Sequence, residues 1–116
     1  MRVLVLLVSM MFAATANANG GLINGDCAGA KALSDVFYDI AESTTSENMY
    51  NEFGNLLLKS AFGEFSTDHP FYADALGIAM GVKQVVWKFH TQLSKSQLGD
   101  IAELTCKDVT GGWLKA

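Results

Sequence analysis

Between Pro70 and His90 the chain sets Phe71, Ala75, Ile78, Val82, Val85 and Phe89 at successive steps of 4, 3, 4, 3 and 4 residues. Steps alternating between three and four trace one face of an α-helix, whereas a half-buried strand repeats its apolar positions every second residue. This stretch is therefore helical. Tyr72, Leu76, Ala79 and Val86 widen the stripe, and a helix apolar over so broad a face is expected in the middle of a bundle. Pro70, the single proline, suits a first helical turn, with Asp68 as the expected cap. Gly77 and Gly81 stand four apart, where missing side chains would let another backbone come close, a helix-packing role.

Three more stretches carry the same period. Ala30, Leu33, Val36, Phe37, Ile40 and Ala41 form one stripe, with Lys31, Asp35, Asp39 and Glu42 on the opposite side, which predicts a helix from about Asp26 to about Ser43. Thr44-Thr45-Ser46-Glu47 offers a fresh start, the Thr44 hydroxyl accepting from the third backbone NH while Glu47 reaches back. Met49, Tyr50, Phe53, Leu56, Leu57 and Ala61 then line a second helix, weakened modestly by Gly54. Phe62 to Asp68 breaks the pattern. Ser94 and Gln97 form a capping box with Leu93 and Leu98 as its staple; Leu98, Ile101, Ala102 and Thr105 give the last helix its inner face before Gly111-Gly112 stops it. With no alternating strand and no repeat, the expectation is an all-α fold, a compact four-helix bundle.

The first 18 residues read as a signal peptide. Met1 and Arg2 are followed by twelve residues, Val3 to Ala14, of which only Ser9 is polar, and Ala16-Asn17-Ala18 presents small residues for cleavage after Ala18. Twelve residues of helix cover about 18 Å, too little for a bilayer core of about 30 Å. Residues 19–116 are then a single helical domain, periplasmic or secreted, with no membrane segment after the signal is removed. Losing Arg2 takes the net charge from -4 to -5, which argues against nucleic acid and anionic membrane as partners.

Cys27 and Cys106 lie near opposite ends of the mature chain, and in an oxidising compartment one intramolecular pairing is open to them. It would staple first helix to last and close a loop worth about 4 to 5 kcal/mol of unfolded-chain entropy. Free thiols and an intermolecular bridge are the alternatives. No CxxC pair is present, so thiol exchange is not expected.

No residue pattern points to catalysis. His69 and His90 belong to no metal-binding constellation and read as cap and helix-end residues. Ser43, Ser46, Ser66, Ser94 and Ser96 fall at helix starts, where capping explains them. No glycine-rich turn follows a strand, so neither cofactor nor metal is expected, and the chain is not read as an enzyme. Asp35, Asp39 and Glu42, spaced four and three, line one side of the first helix: a solvated face whose functional form is an electrostatic docking surface. Phe37, Phe53, Phe71 and Phe89 fall on apolar stripes and read as core. Phe65, in the break between the second and third helices, either plugs one end of the bundle or projects as an anchor for a partner. Trp87 and Trp113 cover the core edge or join an interface.

Three segments resemble the Rap1a/Tai family of small exported helical proteins, known for immunity proteins against cell-wall amidase effectors: Leu22-Ile23-Asn24-Gly25-Asp26-Cys27, Gly77-Ile78-Ala79-Met80-Gly81-Val82 and Lys95-Ser96-Gln97-Leu98-Gly99-Asp100-Ile101. The chain departs from the family in carrying Ala75 where a second cysteine is usual and Ile78 where an aromatic is usual, which leaves Cys106 as the partner of Cys27. The resemblance implies a protein that binds and blocks another protein. The expected function is thus an exported helical protein that neutralises another protein, as an immunity protein or as an inhibitor of a toxin or wall-degrading enzyme. Its partner would be a basic effector or hydrolase, met by the acidic chain through long-range attraction. The alternatives are a periplasmic stress chaperone that opens at low pH and, behind it, a small enzyme. A homodimer is a further expectation, since a second copy is one way to cover the broad third helix.

Overall fold

A computed structural model describes residue 22, residues 26–63 and residues 67–109. These hold four helices and no strand: α1 (Ala28–Ser43), α2 (Glu47–Phe62), α3 (Tyr72–Phe89) and α4 (Lys95–Val109). The all-α bundle predicted from the apolar period is the fold observed. The signal segment, its cleavage site, Phe65, Trp113 and the Gly111-Gly112 stop lie outside the described residues.

The centre of the bundle is α1, not α3. Half of its sixteen residues are buried, from Gly29 and Ala30 through Leu33, Ser34, Val36, Phe37, Ile40 and Ala41. It packs on all three other helices, most extensively on α4 and then on α3. α3 buries only Ala75, Ala79, Val82 and Val86. These sit at steps of 4, 3 and 4, one narrow seam, and small side chains along it bring α3 close to α1; Tyr72 and Trp87 on one flank pack against Phe62 and Tyr50 of α2, while Gly77, Gly81 and Val85 on the other are exposed. Leu22 is also fully buried in this core.

Aromatic rings tie α1, α2 and α3 together. Phe37 and Tyr50 lie 6.3 Å apart between ring centroids, and Tyr50 and Trp87 4.8 Å apart. Tyr50 is fully buried, and its hydroxyl donates to the Lys83 carbonyl, so the polar tip is satisfied inside the core. Burial pushes its pKa well above the ordinary tyrosine value. Beside it, Gly54 has a packing role that its helix-weakening cost concealed. A Cβ there would meet Lys83 Cε at 2.8 Å, so the missing side chain admits the aliphatic stem of Lys83, whose Nζ donates to Asn55 Oδ1 at 2.8 Å. On α2 the stripe is also shifted from expectation: Leu58 is buried and Leu56 is 60% exposed.

The caps show where short-range reading succeeds. At α4 the capping box is reciprocal, Gln97 N donating to Ser94 Oγ at 3.1 Å and Ser94 N to Gln97 Oε1 at 2.9 Å, with Leu98 buried behind it. At α2 the cap is Ser46 and not Thr44: Ser46 is extended, and its Oγ accepts from Met49 N at 3.2 Å. Thr44 instead closes α1, its backbone NH bonding to the Ala41 carbonyl, and its hydroxyl is buried without a hydrogen-bond partner. α3 begins at Tyr72, past Pro70, with Phe71 rather than Asp68 at the cap position. Nearby, His69 Nδ1 accepts from Phe71 N at 3.2 Å. His90 caps the other end, its Nδ1 2.8 Å from the Trp87 carbonyl.

Cys27, at the start of α1, and Cys106, near the end of α4, are joined by a disulfide, with Cα atoms 5.6 Å apart and a sequence separation of 79. Both are buried. Along the same α1–α4 contact, Lys95 Nζ meets Asp39 Oδ1 at 3.0 Å and Lys31 Nζ meets Asp100 Oδ1 at 3.1 Å. Gly99 is buried there, a Cβ on it falling 3.1 Å from Lys31 Cγ and 3.3 Å from Asp35 Oδ1, so its bare backbone is what lets the two helices close. Among the described residues, no helix is long and apolar enough to cross a membrane.

Candidate binding groove

Both α3 and α4 lie on α1, yet they scarcely touch each other. The space between them is a groove of about 420 Å³. Ser34 of α1 lies at its floor with the buried Val82, Val86, Leu98 and Ala102; Gly77, Gly81 and Val85 form the rim on α3, and Ile101, Thr105 and Val109 the rim on α4. Val85 is 38% exposed, Ile101 40% and Val109 64%. Exposed apolar side chains scattered singly are ordinary, but here they converge on one concavity whose size falls within the range of ligand sites.

Among the described residues, nothing lies within 4 Å of the Cβ position at Gly77 or at Gly81. The two glycines widen the groove, and the close approach of another backbone that their spacing suggested is not made by any described helix. The reason is the position of the hub, since α1 meets α3 along Ala75, Ala79, Val82 and Val86 and leaves the glycine side uncovered. Ile78, Val85, Ile101 and Thr105, read as interior from their period, line the groove with them. The signal available in the sequence was the Ala73, Gly77, Gly81, Val85 row at steps of four, a shallow strip on an otherwise filled apolar face.

Two polar groups stand out in this lining. Ser34 is fully buried, and its hydroxyl has no hydrogen-bond partner. A buried hydroxyl left unpaired costs about 1 to 3 kcal/mol. Ser34→Ala removes that cost and adds helix propensity, so it is expected to stabilise the free protein by about 1 kcal/mol, raising the thermal midpoint by roughly 4 to 8 °C. A calorimetric scan showing a lower midpoint would mean that the hydroxyl is already satisfied. Asp74, in the first turn of α3, is the one ionisable side chain among the described lining residues; it is exposed and takes part in none of the ion pairs among the described residues.

The acidic row of α1 does not form one open face. Asp39 is paired with Lys95, and Asp35 is half-buried against Gly99; burial raises its pKa against the opposing pull of Lys95 and Lys31. Glu42 alone is exposed, beside the Tyr38 hydroxyl, whose pKa it raises by accepting its hydrogen bond. α4 lies across the first two carboxylates, which the spacing within α1 could not reveal. Phe65, the other partner-binding candidate, lies outside the described residues. Among those described, no group of three or more His, Cys, Asp or Glu could hold a metal ion. With no hydrogen-bonded base, Ser34 is not an activated nucleophile. The described lining of the groove is mostly apolar.

Comparison with protein-family models, with characterised proteins and with solved structures finds no match for this chain.

Proposed function

We propose that this chain is an exported binding protein that holds and neutralises another protein, and that the groove between α3 and α4 is the surface it uses. The observation that carries the reading is the uncovered half of the α3 apolar face: Gly77, Gly81 and Val85 border a concavity that no other helix of the described bundle fills. Apolar surface kept open at a cost in stability is most simply understood as surface that a partner covers. Neutralisation by occlusion needs no catalytic group, in keeping with the role that the Rap1a/Tai resemblance implies. A basic effector or hydrolase suits the acidic chain, the charge speeding encounter and the groove supplying the lasting contact. The acid-opened chaperone is the weaker reading, because its apolar surface would appear only on unfolding, whereas this groove is open in the folded bundle.

The test is affinity capture from the exported fraction of the source cells, run in parallel with the native protein and with Gly81→Leu, which fills the groove. A protein held by the native chain and lost with Gly81→Leu, whose own activity falls when the native chain is added, is the expected result. Equal capture by both forms would remove the groove from the reading.

A further inference from the structure

We infer that the groove receives an amphipathic α-helix of the partner, with a basic residue on its flank that meets Asp74. This rests on the groove being the site of partner binding and names what enters it.

The argument begins with the backbone. The groove walls are the sides of two helices, α3 and α4, whose main-chain groups away from the ends are already bonded within each helix. They have no strand edge to offer. An extended segment laid there would bury its own NH and carbonyl groups without partners, whereas a helix satisfies them internally and presents side chains alone. The dimensions agree. From Asp74 to Val85 along α3 is about 17 Å and from Leu98 to Val109 along α4 about 17 Å at helical rise, or three turns of an occupant with anchors at i, i+3 or i+4 and i+7. Gly77 and Gly81, with no described residue within 4 Å of their Cβ positions, let a helix axis come close.

One polar feature then specifies the occupant. Asp74 is the only charge among the described lining residues, makes none of the described ion pairs, and belongs to a chain of net charge -4. A lysine or arginine on the flank of the entering helix fits it. A second copy of this acidic chain fits less well, since each would bring its own Asp74 and its own excess of carboxylates.

The experiment uses the disulfide-bonded protein and three-turn helix-forming peptides. Each has a leucine stripe, and the flanks carry lysine in one peptide and glutamate in the other. Calorimetric titration is expected to show the lysine peptide binding at least tenfold more tightly than the glutamate one. Asp74→Asn should weaken it about threefold to tenfold and flatten its salt dependence. Gly77→Leu with Gly81→Leu should lower affinity at least tenfold. Ile101→Lys, on the opposite rim, should do the same without altering α3, and it decides the matter if the double variant fails to fold. Equal affinity for the two peptides, or binding unaffected by Ile101→Lys, overturns the inference. So does a concentration-dependent dimer that Ile101→Lys abolishes, or occupation of the groove by a straight-chain alkyl detergent when no peptide binds. If the peptides fail while Gly81→Leu still abolishes capture of a protein, the groove remains the binding site and only the helical, basic occupant is wrong; if capture is also unaffected, the broader reading falls with it.

Discussion

Serine at both Cys27 and Cys106 is expected to lower the unfolding free energy by about 4 to 5 kcal/mol. The bond joins positions 79 apart in sequence and so encloses most of the described bundle, and its loss acts chiefly by giving the unfolded chain back its freedom rather than by altering the folded contacts. Domains of this size are stable by about 5 to 15 kcal/mol, so the doubly substituted protein should sit near the edge of folding. Both sites are buried, so serine also leaves hydroxyls to be satisfied; a parallel Cys→Ala pair separates that cost from the loss of the crosslink. Urea unfolding followed by helical circular dichroism gives the measurement. A midpoint unchanged between oxidised and substituted protein would show that the bond contributes nothing. The groove should feel the loss first, because Cys106 lies in α4 between the rim residues Thr105 and Val109. Amide exchange should therefore accelerate more along the second half of α4 than along α1.

Phe37→Ala is expected to cost about 3 to 5 kcal/mol, the range for emptying a fully packed aromatic site. Phe37 has no exposed surface, sits on the hub helix and packs against Tyr50, which in turn lies against Trp87. A cavity there loosens α1, α2 and α3 together. Phe89→Ala is the comparison. By sequence it belongs to the same class of stripe phenylalanines, yet in the fold Phe89 is half-buried at the end of α3, with Lys88 Nζ 5.6 Å from its ring centroid. It should cost about 2 kcal/mol less than Phe37→Ala. Equal losses from the two substitutions would contradict the placement of α1 at the centre.

The stripe phenylalanines illustrate what periodicity conveys. It identified the helices, because residues three and four apart share a face whatever the rest of the chain does. It overestimated burial, since Phe53, Phe71 and Phe89 each keep part of their surface exposed while Phe37 keeps none. The caps divide in the same way. Ser94 and Gln97 satisfy one another across a single turn, so their pairing is visible in the residues. Thr44 and Ser46 are both competent hydroxyls, and the choice between them depends on which residue turns extended as α1 hands over to α2.

The candidate site follows the longer-range half of that division. Nothing within α1 shows that Asp39 will be taken by Lys95, and nothing within α3 shows that Gly77 and Gly81 will face open space. Four helical segments, a capping box and a possible pairing of two cysteines are properties of near neighbours or of a count, and the amino-acid order contains them. Which flank of α3 is covered, and hence that a groove exists at all, depends on how α3 and α4 settle on α1. That arrangement is held by contacts between residues as distant as Lys31 and Asp100, 69 positions apart, and burial is decided by such neighbours rather than by a residue's own type.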